Sequence, residues 1–389
     1  MSTIYRWIYC FLGASLLNGN LLATESLELQ TFDRASDRKS RFYDLSNYLQ
    51  TLNNAEMLDL LSQGELLHSG NGTSLKLEVN GIPVFVKKIP LNSLEGNVEN
   101  FNSTANVFNL PPFYQYGVGS AGFNVWREVS AHRMTTEWVL ANKTQNFPLV
   151  YHWRTLDNTD KKEPLNEEEW KKYVAYWDGS EEVGERVRAN HNAPTSIAIF
   201  IEYFPMTVKR WLATQLDEGP KAIDRAVAIV EKKLLETTFF MNTRGMLHFD
   251  AHFDNILTDG EQIYFTDFGL STSLQFSLSN EELQFFKHHQ NYDRCYVITV
   301  LTQWIISKFF GKDQSEEILR EYACGKIPQC VPETLTPYLS SVVQRYAPLS
   351  LRMGTFFKML RKKSKQTPYP AEELEQYWNW TQTEFKCYY

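Results

Sequence analysis

The chain has 389 residues, of which 43% are apolar and 14% aromatic, enough to bury a large core in two domains or one two-lobed unit. A formal net charge of −7 excludes the basic surplus that is typical of a general nucleic-acid binder. The five cysteines are scattered, without a disulfide framework or a zinc-ligand spacing, which favours a reducing compartment.

Residues 1–23 contain an apolar run, from Trp7 to Ala23, behind Arg6. This composition is typical of a signal peptide or a short membrane anchor, but glycine and asparagine interrupt the run, so a plain N-terminal helix stays equally open. We expect a cytoplasmic protein unless this segment exports or anchors it, and membrane contact only through this segment. Residues 24–63 are polar with weak helical periodicity and predict a helical lead-in.

Short strands are predicted from residue 64 onward. Asn80-Gly81 is a typical two-residue hairpin turn, and a β-branched run follows it. The predicted order is a strand at 66–69, a glycine-containing loop at 70–74, a strand at 75–79, the turn, and a strand at 82–89.

The rest of the chain divides by composition. Residues 90–122 are rich in Asn, Ser and Gly and predict a long loop or insertion. A helix is predicted at 123–141 and a strand at 147–153. Residues 154–194 are polar and acidic, which predicts a surface insertion with one short helix near 167–176. A strongly apolar strand is predicted at 196–204, and mostly helices from 205 to 389.

Two short motifs carry the chemistry. The first, H-F-D-A-H-F-D-N, contains Asp250 and Asn255. After eleven intervening residues, Asp267 begins the second, D-F-G. Phosphoryl transfer needs one carboxylate to orient and deprotonate an attacking hydroxyl. It also needs an amide and a second carboxylate to hold Mg²⁺ on the phosphates. Asp250 fits the base, and Asn255 and Asp267 fit the metal ligands.

The two motifs, in this order, resemble the protein-kinase-like superfamily over about residues 64–310. That family includes Ser/Thr protein kinases and the small-molecule kinases related to aminoglycoside and choline phosphotransferases. The resemblance implies an α+β fold with two lobes. The N-lobe would span 64–204, with a five-stranded antiparallel sheet and insertions at 90–122 and 154–194. A mostly helical C-lobe would span 205–389, and ATP with Mg²⁺ would bind between the lobes.

The resemblance also assigns nucleotide contacts in the N-lobe. V-F-V-K matches the strand whose lysine holds the α- and β-phosphates, which makes Lys87 that lysine and Lys88 the alternative. Its glutamate partner on the next helix is Glu128, in W-R-E, with Glu137 as the alternative. The loop lacks the third glycine of the family pattern, and its backbone contacts would come from Gly70, Asn71, Gly72 and Thr73. The adenine edge would bond the carbonyl of Glu202 and the N–H of Phe204.

Four departures or matches in the C-lobe bear on regulation. Phe249 replaces the arginine that normally pairs with a phosphorylated activation loop, so loop phosphorylation is not expected to be the switch. His252 replaces a lysine and is typical of the small-molecule branch. The segment 270–290 is short and lacks the A-P-E motif. Asp293 resembles the buried aspartate that binds the catalytic-loop backbone, and a simple helix N-cap is the alternative.

Several functions stay open at this level. The acceptor is predicted to be protein Ser/Thr, with a small-molecule phosphotransferase or a pseudokinase binding module as alternatives. A metal hydrolase is a different reading, because His248, Asp250, His252 and Asp254 alternate and would share one face of a strand. That reading leaves the other motifs unexplained. The basic segment 352–365 fits an acidic substrate, a membrane surface or a solvated helix face.

Overall fold

The computed structural model describes residues 35–69, 72–158, 164–328 and 331–384. The chain divides into two compact units, Met1–Tyr203 and Phe204–Tyr389. The apolar run within residues 1–23, and Gly70 and Asn71 of the predicted nucleotide loop, lie outside the described residues. None of the helices in the described ranges offers an apolar stretch of membrane-spanning length.

The N-terminal unit is a mixed α/β structure built on an antiparallel sheet. Within the described residues this sheet has five strands, in the order β1-β2-β3-β5-β4. The strands are β1 Glu65–Ser69, β2 Thr73–Val79, β3 Ile82–Leu91, β4 Val150–Asp157 and β5 Thr195–Glu202. The helices are α1 Ala35–Thr51, α2 Asn54–Ser62, α3 Val125–Leu140, α4 Glu167–Tyr176 and α5 Glu181–His191.

Local sequence explains the centre of this sheet. Asn80 and Gly81 have φ values of 52° and 76°, the left-handed pair that closes a tight hairpin, so the predicted turn is confirmed. Alternation along β3 then buries Val84 and Val86 on one face. Phe85, from the opposite face, packs on a cluster that includes Trp126 of α3. The five-stranded antiparallel sheet and the mixed α/β class agree with the sequence prediction.

The predicted surface insertions are more buried than their composition indicates. Residues 90–122 do form mostly turns, with a short 3-10 helix at Pro112–Gln115. Tyr114 from this segment is fully buried, with its ring centroid 4.5 Å from that of the buried Trp177. The prediction of one helix in 154–194 is wrong, because α5 follows α4. Residues 154–194 do not lie wholly at the surface, because Val183 and Arg186 of α5 are buried, although α4 contains no buried residue.

The helical lead-in is an integral part of the N-terminal unit. Leu45 and Leu49 of α1 are fully buried. Arg38 of the same helix forms a buried ion pair with Glu202 at the end of β5, at 2.5 Å between Nη2 and Oε2. The predicted boundary at residue 64 therefore separates residues that share one core.

The C-terminal unit is mainly helical, as predicted, with short strands between the helices. Among its described residues, β6-β8-β9 form a small antiparallel sheet and β7 pairs with β10. Its core lies around α9, where Ile298, Leu301 and Ile305 are fully buried. The helices are α6 Val208–Asp217, α7 Pro220–Thr243, α8 Asn280–His288, α9 Tyr292–Phe309, α10 Ser315–Ala323, α11 Pro337–Lys362 and α12 Ala371–Glu384. The strands are β6 Met206–Thr207, β7 Met246–Leu247, β8 Ile256–Thr258, β9 Ile263–Phe265 and β10 Thr272–Ser273.

Candidate functional site

Lys87 and Glu128 form an ion pair in the N-terminal unit. The Nζ atom of Lys87 lies 2.6 Å from Oε1 of Glu128, and the two side chains are 21% and 6% exposed. Alternation along β3 directs the adjacent Lys88 to the opposite face of the strand. The alternative partner, Glu137, is exposed on α3. The structure therefore pairs the preferred lysine, Lys87, with the preferred glutamate, Glu128.

The start of α3 fixes the position of Glu128. Asn124 caps the helix, and its Oδ1 accepts hydrogen bonds from the backbone N–H groups of Trp126 and Arg127 at 2.7 and 3.3 Å. Glu128 lies in the first turn, where the partial positive charge of the helix N-terminus favours a carboxylate. The ion pair with Lys87 thus depends on where this turn begins.

A buried polar network surrounds that first turn. Trp126 donates its indole N–H to the backbone carbonyl of Glu95 at 2.7 Å. The Glu95 carboxylate is paired with Arg186 of α5 at 3.3 Å, and Arg186 also donates to the carbonyl of Gly122 at 2.7 Å. Burial raises the pKa of Glu95, and the Arg186 guanidinium opposes that rise. Glu95 from residues 90–122 and Arg186 from residues 154–194 therefore fix the first turn of α3, which contains Glu128.

The predicted nucleotide-loop residues are only partly described. Thr73 belongs to β2, where it pairs with Lys88, so the predicted loop at 70–74 extends two residues too far. A Cβ atom at Gly72 would lie 2.8 Å from the carbonyl oxygen of Lys88, so glycine is required there by the approach of the two strands. This packing reason stands beside the predicted phosphate contact.

The predicted hinge residue Glu202 uses its side chain for structure. Its carboxylate accepts hydrogen bonds from Nε of Arg38 at 2.9 Å and from the backbone N–H of Leu149 at 3.1 Å. Phe204 is the first residue of the C-terminal unit, and its ring stacks on Tyr264 at 3.8 Å between centroids. Arg38 was not predicted, because an arginine in a polar lead-in gives no signal in the sequence.

In the C-terminal unit, Asp293 fixes the backbone of the loop that contains Asp250. Its carboxylate accepts hydrogen bonds from the N–H groups of His248 and Phe249 at 2.6 and 2.9 Å, and it caps no helix end. The loop-binding role predicted for Asp293 is confirmed. Burial raises the pKa of Asp293 to about 6, and the two N–H donors oppose that rise.

His248 connects this loop to the D-F-G segment. Its Nε2 lies 3.0 Å from the carbonyl oxygen of Thr266, and its Nδ1 accepts a hydrogen bond from the N–H of Asp250 at 3.3 Å. These partners fit a neutral ring that is protonated on Nε2. Burial lowers the pKa of His248 to about 4, so the ring is neutral at pH 7.

Asn255 and Asp267 lie at the same end of a β-hairpin. Strands β8 and β9 pair from Ile256 opposite Phe265, and the N–H of Thr266 bonds the carbonyl of Asn255 at 3.0 Å. Asp267 is therefore one residue beyond the position opposite Asn255. The Nδ2 of Asn255 donates to the backbone carbonyl of Asp250 at 3.0 Å and to its carboxylate at 3.2 Å.

Two residues in these loops have an uncommon backbone. Phe249 and Asp267 have φ values of 64° and 62°, in the left-handed region that is costly for a bulky side chain. The Phe249 ring is fully buried and lies 4.7 Å from that of Tyr292 between centroids. An aromatic contact thus fixes the position of the Phe249 ring.

The alternating H-x-D-x-H-x-D stretch does not form the predicted one-sided face. Residues 248–255 lie in an irregular loop, and Asp254 pairs with Lys209 at 2.8 Å. Within the described residues, no group of three or more His, Cys, Asp or Glu side chains is placed to hold a metal ion. The four residues therefore do not converge, because the strand that would align them does not form.

The structure thus brings the predicted residues together in two groups, one in each unit. The first is Lys87 with Glu128. In the second, Asp250 contacts Asn255, and Asp267 follows the hairpin position opposite Asn255 by one residue. A scan of protein-family models and a search of curated proteins found no match to this chain.

Proposed function

We propose that this chain is an ATP-dependent kinase of the protein-kinase-like superfamily, with two lobes, that transfers the γ-phosphate to a hydroxyl acceptor, in the first place protein Ser/Thr. One observation carries the proposal. A loop held by Asp293 places Asp250 beside Asn255, and a hairpin brings Asp267 to the same end. A base and two oxygen ligands from adjoining loops are what phosphoryl transfer requires.

Each residue then has a defined task. Asp250 accepts a hydrogen bond from the acceptor hydroxyl, orients it and takes its proton. Asn255 turns its amide N–H toward Asp250, which leaves the amide oxygen for a cation. An amide oxygen and the Asp267 carboxylate are hard donors that suit Mg²⁺, which commonly completes its shell with phosphate oxygens and water. When bound, this ion neutralises charge on the phosphates.

The N-terminal unit supplies the remaining charge. Lys87 would bind the α- and β-phosphates, and Glu128 would hold its ammonium group in place. The backbone at 70–73, and the main chain at Glu202 and Phe204, would hold the nucleotide. Rate enhancement would then come mainly from positioning and from fixed charges.

A small-molecule acceptor is the second candidate, and the segment after the D-F-G motif favours it. Strand β10 pairs with β7, and the N–H of Leu274 bonds the carbonyl of Gly245 at 2.8 Å. Helix α8 begins soon afterwards, at Asn280. A short segment that is fixed by strand pairing offers little surface on which to align a peptide.

The test is transfer of label from γ-labelled ATP with Mg²⁺, in the presence of cell lysate or a metabolite panel. We expect Asp267→Ala to lower turnover at least about hundredfold, the range seen when one charge-stabilising group is lost. Asp313→Ala, at an exposed position, is the matched control. Label in a protein band or in a small molecule identifies the acceptor class. Undiminished turnover in Asp267→Ala, or no turnover by the unaltered protein, contradicts the proposal, and the latter favours a pseudokinase binding module.

A further inference from the structure

Tyr296 lies on the same face of α9 as the residues that hold the Asp250 loop. Asp293 binds the backbone of that loop, and Tyr292 contacts Phe249. Tyr296 follows them by one helical turn, so it projects from the same side. Its ring stacks on that of Tyr292, with 5.8 Å between centroids.

Helix α11 places an arginine beside this tyrosine. The rings of Tyr296 and Phe357 are 5.4 Å apart, and the guanidinium carbon of Arg361 lies 5.5 Å from the centroid of Phe357. We call Tyr296, Phe357 and Arg361 the α9–α11 cluster. Because Phe357 and Arg361 are four residues apart, one helix face presents both.

Two polar groups of this cluster have no hydrogen-bond or ion-pair partner among the described residues. Arg361 is exposed and forms no ion pair with a described carboxylate, and Tyr296 is half-buried with a hydroxyl that makes no hydrogen bond there. Burial raises the pKa of Tyr296, the Asp250 carboxylate raises it further, and the Arg361 guanidinium lowers it. The carboxylate of Asp250, the predicted base, and the guanidinium of Arg361 on α11 therefore both affect the pKa of the Tyr296 hydroxyl.

Arg352, Lys358 and Lys365 of the basic segment 352–365 have structural partners, whereas Lys362 and Lys363 are exposed. Lys358 pairs with Glu316 at 2.8 Å, and the buried Lys365 donates to the carbonyl of Leu360 at 2.8 Å. Arg361 is different, because it rests on an aromatic ring instead. A guanidinium held by a ring is weakly hydrated and pre-oriented, which suits recognition of a carboxylate or phosphate. The whole chain is acidic, so this attraction for anions is local.

We infer that Arg361 and Tyr296 bind a carboxylate or phosphate on the acceptor, next to the hydroxyl that Asp250 orients. The inference rests on the proposed kinase function and names the class of its acceptor. An acidic peptide and a small phosphorylated alcohol share this chemistry. In this arrangement the carboxylate or phosphate of the acceptor binds Arg361, and its neighbouring hydroxyl group faces Asp250, the predicted base.

The activity test compares a serine peptide flanked by Asp and Glu with the same peptide flanked by Lys, and glycerol 3-phosphate with glycerol. We expect the anionic member of the pair that is phosphorylated to react at least about tenfold faster in kcat/KM. Arg361→Gln should raise KM for that acceptor about tenfold, as for loss of a charge-assisted hydrogen bond, without raising KM for ATP. Tyr296→Phe should raise it less, and Arg361→Lys should recover part of the loss. Arg225→Gln, at an exposed position on α7, is the control.

Equilibrium binding separates this inference from the kinase proposal. Fluorescence polarisation of the labelled acidic peptide, or calorimetry with glycerol 3-phosphate, needs no ATP. Binding that is lost in Arg361→Gln, in a protein without transferase activity, supports the anion site and rejects the kinase. Activity without preference for the anionic acceptor overturns the inference and leaves the kinase proposal intact. Equal affinity of the unaltered protein and Arg361→Gln for both probes, including no binding to either, also overturns it.

Discussion

Replacing Arg186 by methionine should destabilise the N-terminal unit strongly. Arg186 and Glu95 are 3% and 0% exposed, with 3.3 Å between Nε and Oε1. Methionine retains most of the aliphatic stem of arginine and removes the charge. The carboxylate of Glu95 then stays buried without its cation, a loss that costs about 3–5 kcal/mol when one member of a buried pair is removed. Since domains are stable by only about 5–15 kcal/mol, the effect is large.

The matched control is on the same helix. Arg188 pairs with Glu167 at 3.0 Å, and both side chains are about half exposed. Because solvent screens such a pair, Arg188→Met should cost at most about 1 kcal/mol. Urea unfolding of both variants, followed by tryptophan fluorescence, measures the two free energies of unfolding under the same conditions.

The pH dependence of the free energy of unfolding is a second measurement on Arg186→Met. Without Arg186, the already raised pKa of Glu95 rises further, because the group that opposed the effect of burial is gone. A carboxyl whose folded pKa lies above its unfolded value stabilises the fold below the unfolded pKa and loses that contribution as pH rises through the folded one. The deficit of Arg186→Met should therefore shrink from pH 8 to pH 5. Equal unfolding midpoints for Arg186→Met and Arg188→Met would refute the reasoning.

Three further predictions concern the site and its surroundings. Phe249→Arg should destabilise the C-terminal unit by roughly 3 kcal/mol or more, because it buries a charge in place of a fully buried ring. Phe239→Arg, at a 71% exposed position, is the control and should change the thermal unfolding midpoint very little. Burial lowers the pKa of His289 to about 3, so its contribution to stability is present above pH 6.5 and is lost as pH falls towards 3, at about 1.4 kcal/mol per pH unit. His289→Gln should flatten this acid limb, and an unchanged limb would contradict the assignment. Lys87→Ala should lower ATP turnover about hundredfold and Lys88→Ala much less, and the reverse order would exchange their roles.

Local patterns made the sheet and the motif loops predictable. The Asn80-Gly81 turn fixes the register of β2 and β3, and alternation along β3 then separates Lys87 from Lys88. The strand–turn–strand spacing between Asn255 and Asp267 likewise determines that they meet at one end of a hairpin. Each of these relations involves residues that are near in sequence, so a short window contains the information.

Helix α5 and the buried contacts of the lead-in helix were harder to predict for one reason. The buried residues of α5 include Gly184 and Arg186, so the helix shows little apolar periodicity although it faces a core. Arg38 and Glu202 are far apart in sequence, and each has the composition of a surface residue. Pairing of buried charges over long separations depends on the assembled fold, which no local pattern records.

The buried ion pair between Arg38 and Glu202 has a practical consequence for shortened versions of this chain. The Arg38 guanidinium also donates to the carbonyl of Phe147 at 2.8 Å, so a single side chain joins α1 to the end of β5 and to the segment that leads into β4. A recombinant fragment that starts at residue 64, the boundary predicted from the sequence, would lack Arg38. It would expose the end of β5 and leave the buried Glu202 carboxylate without its arginine partner. Expression trials should accordingly retain everything from α1 onward.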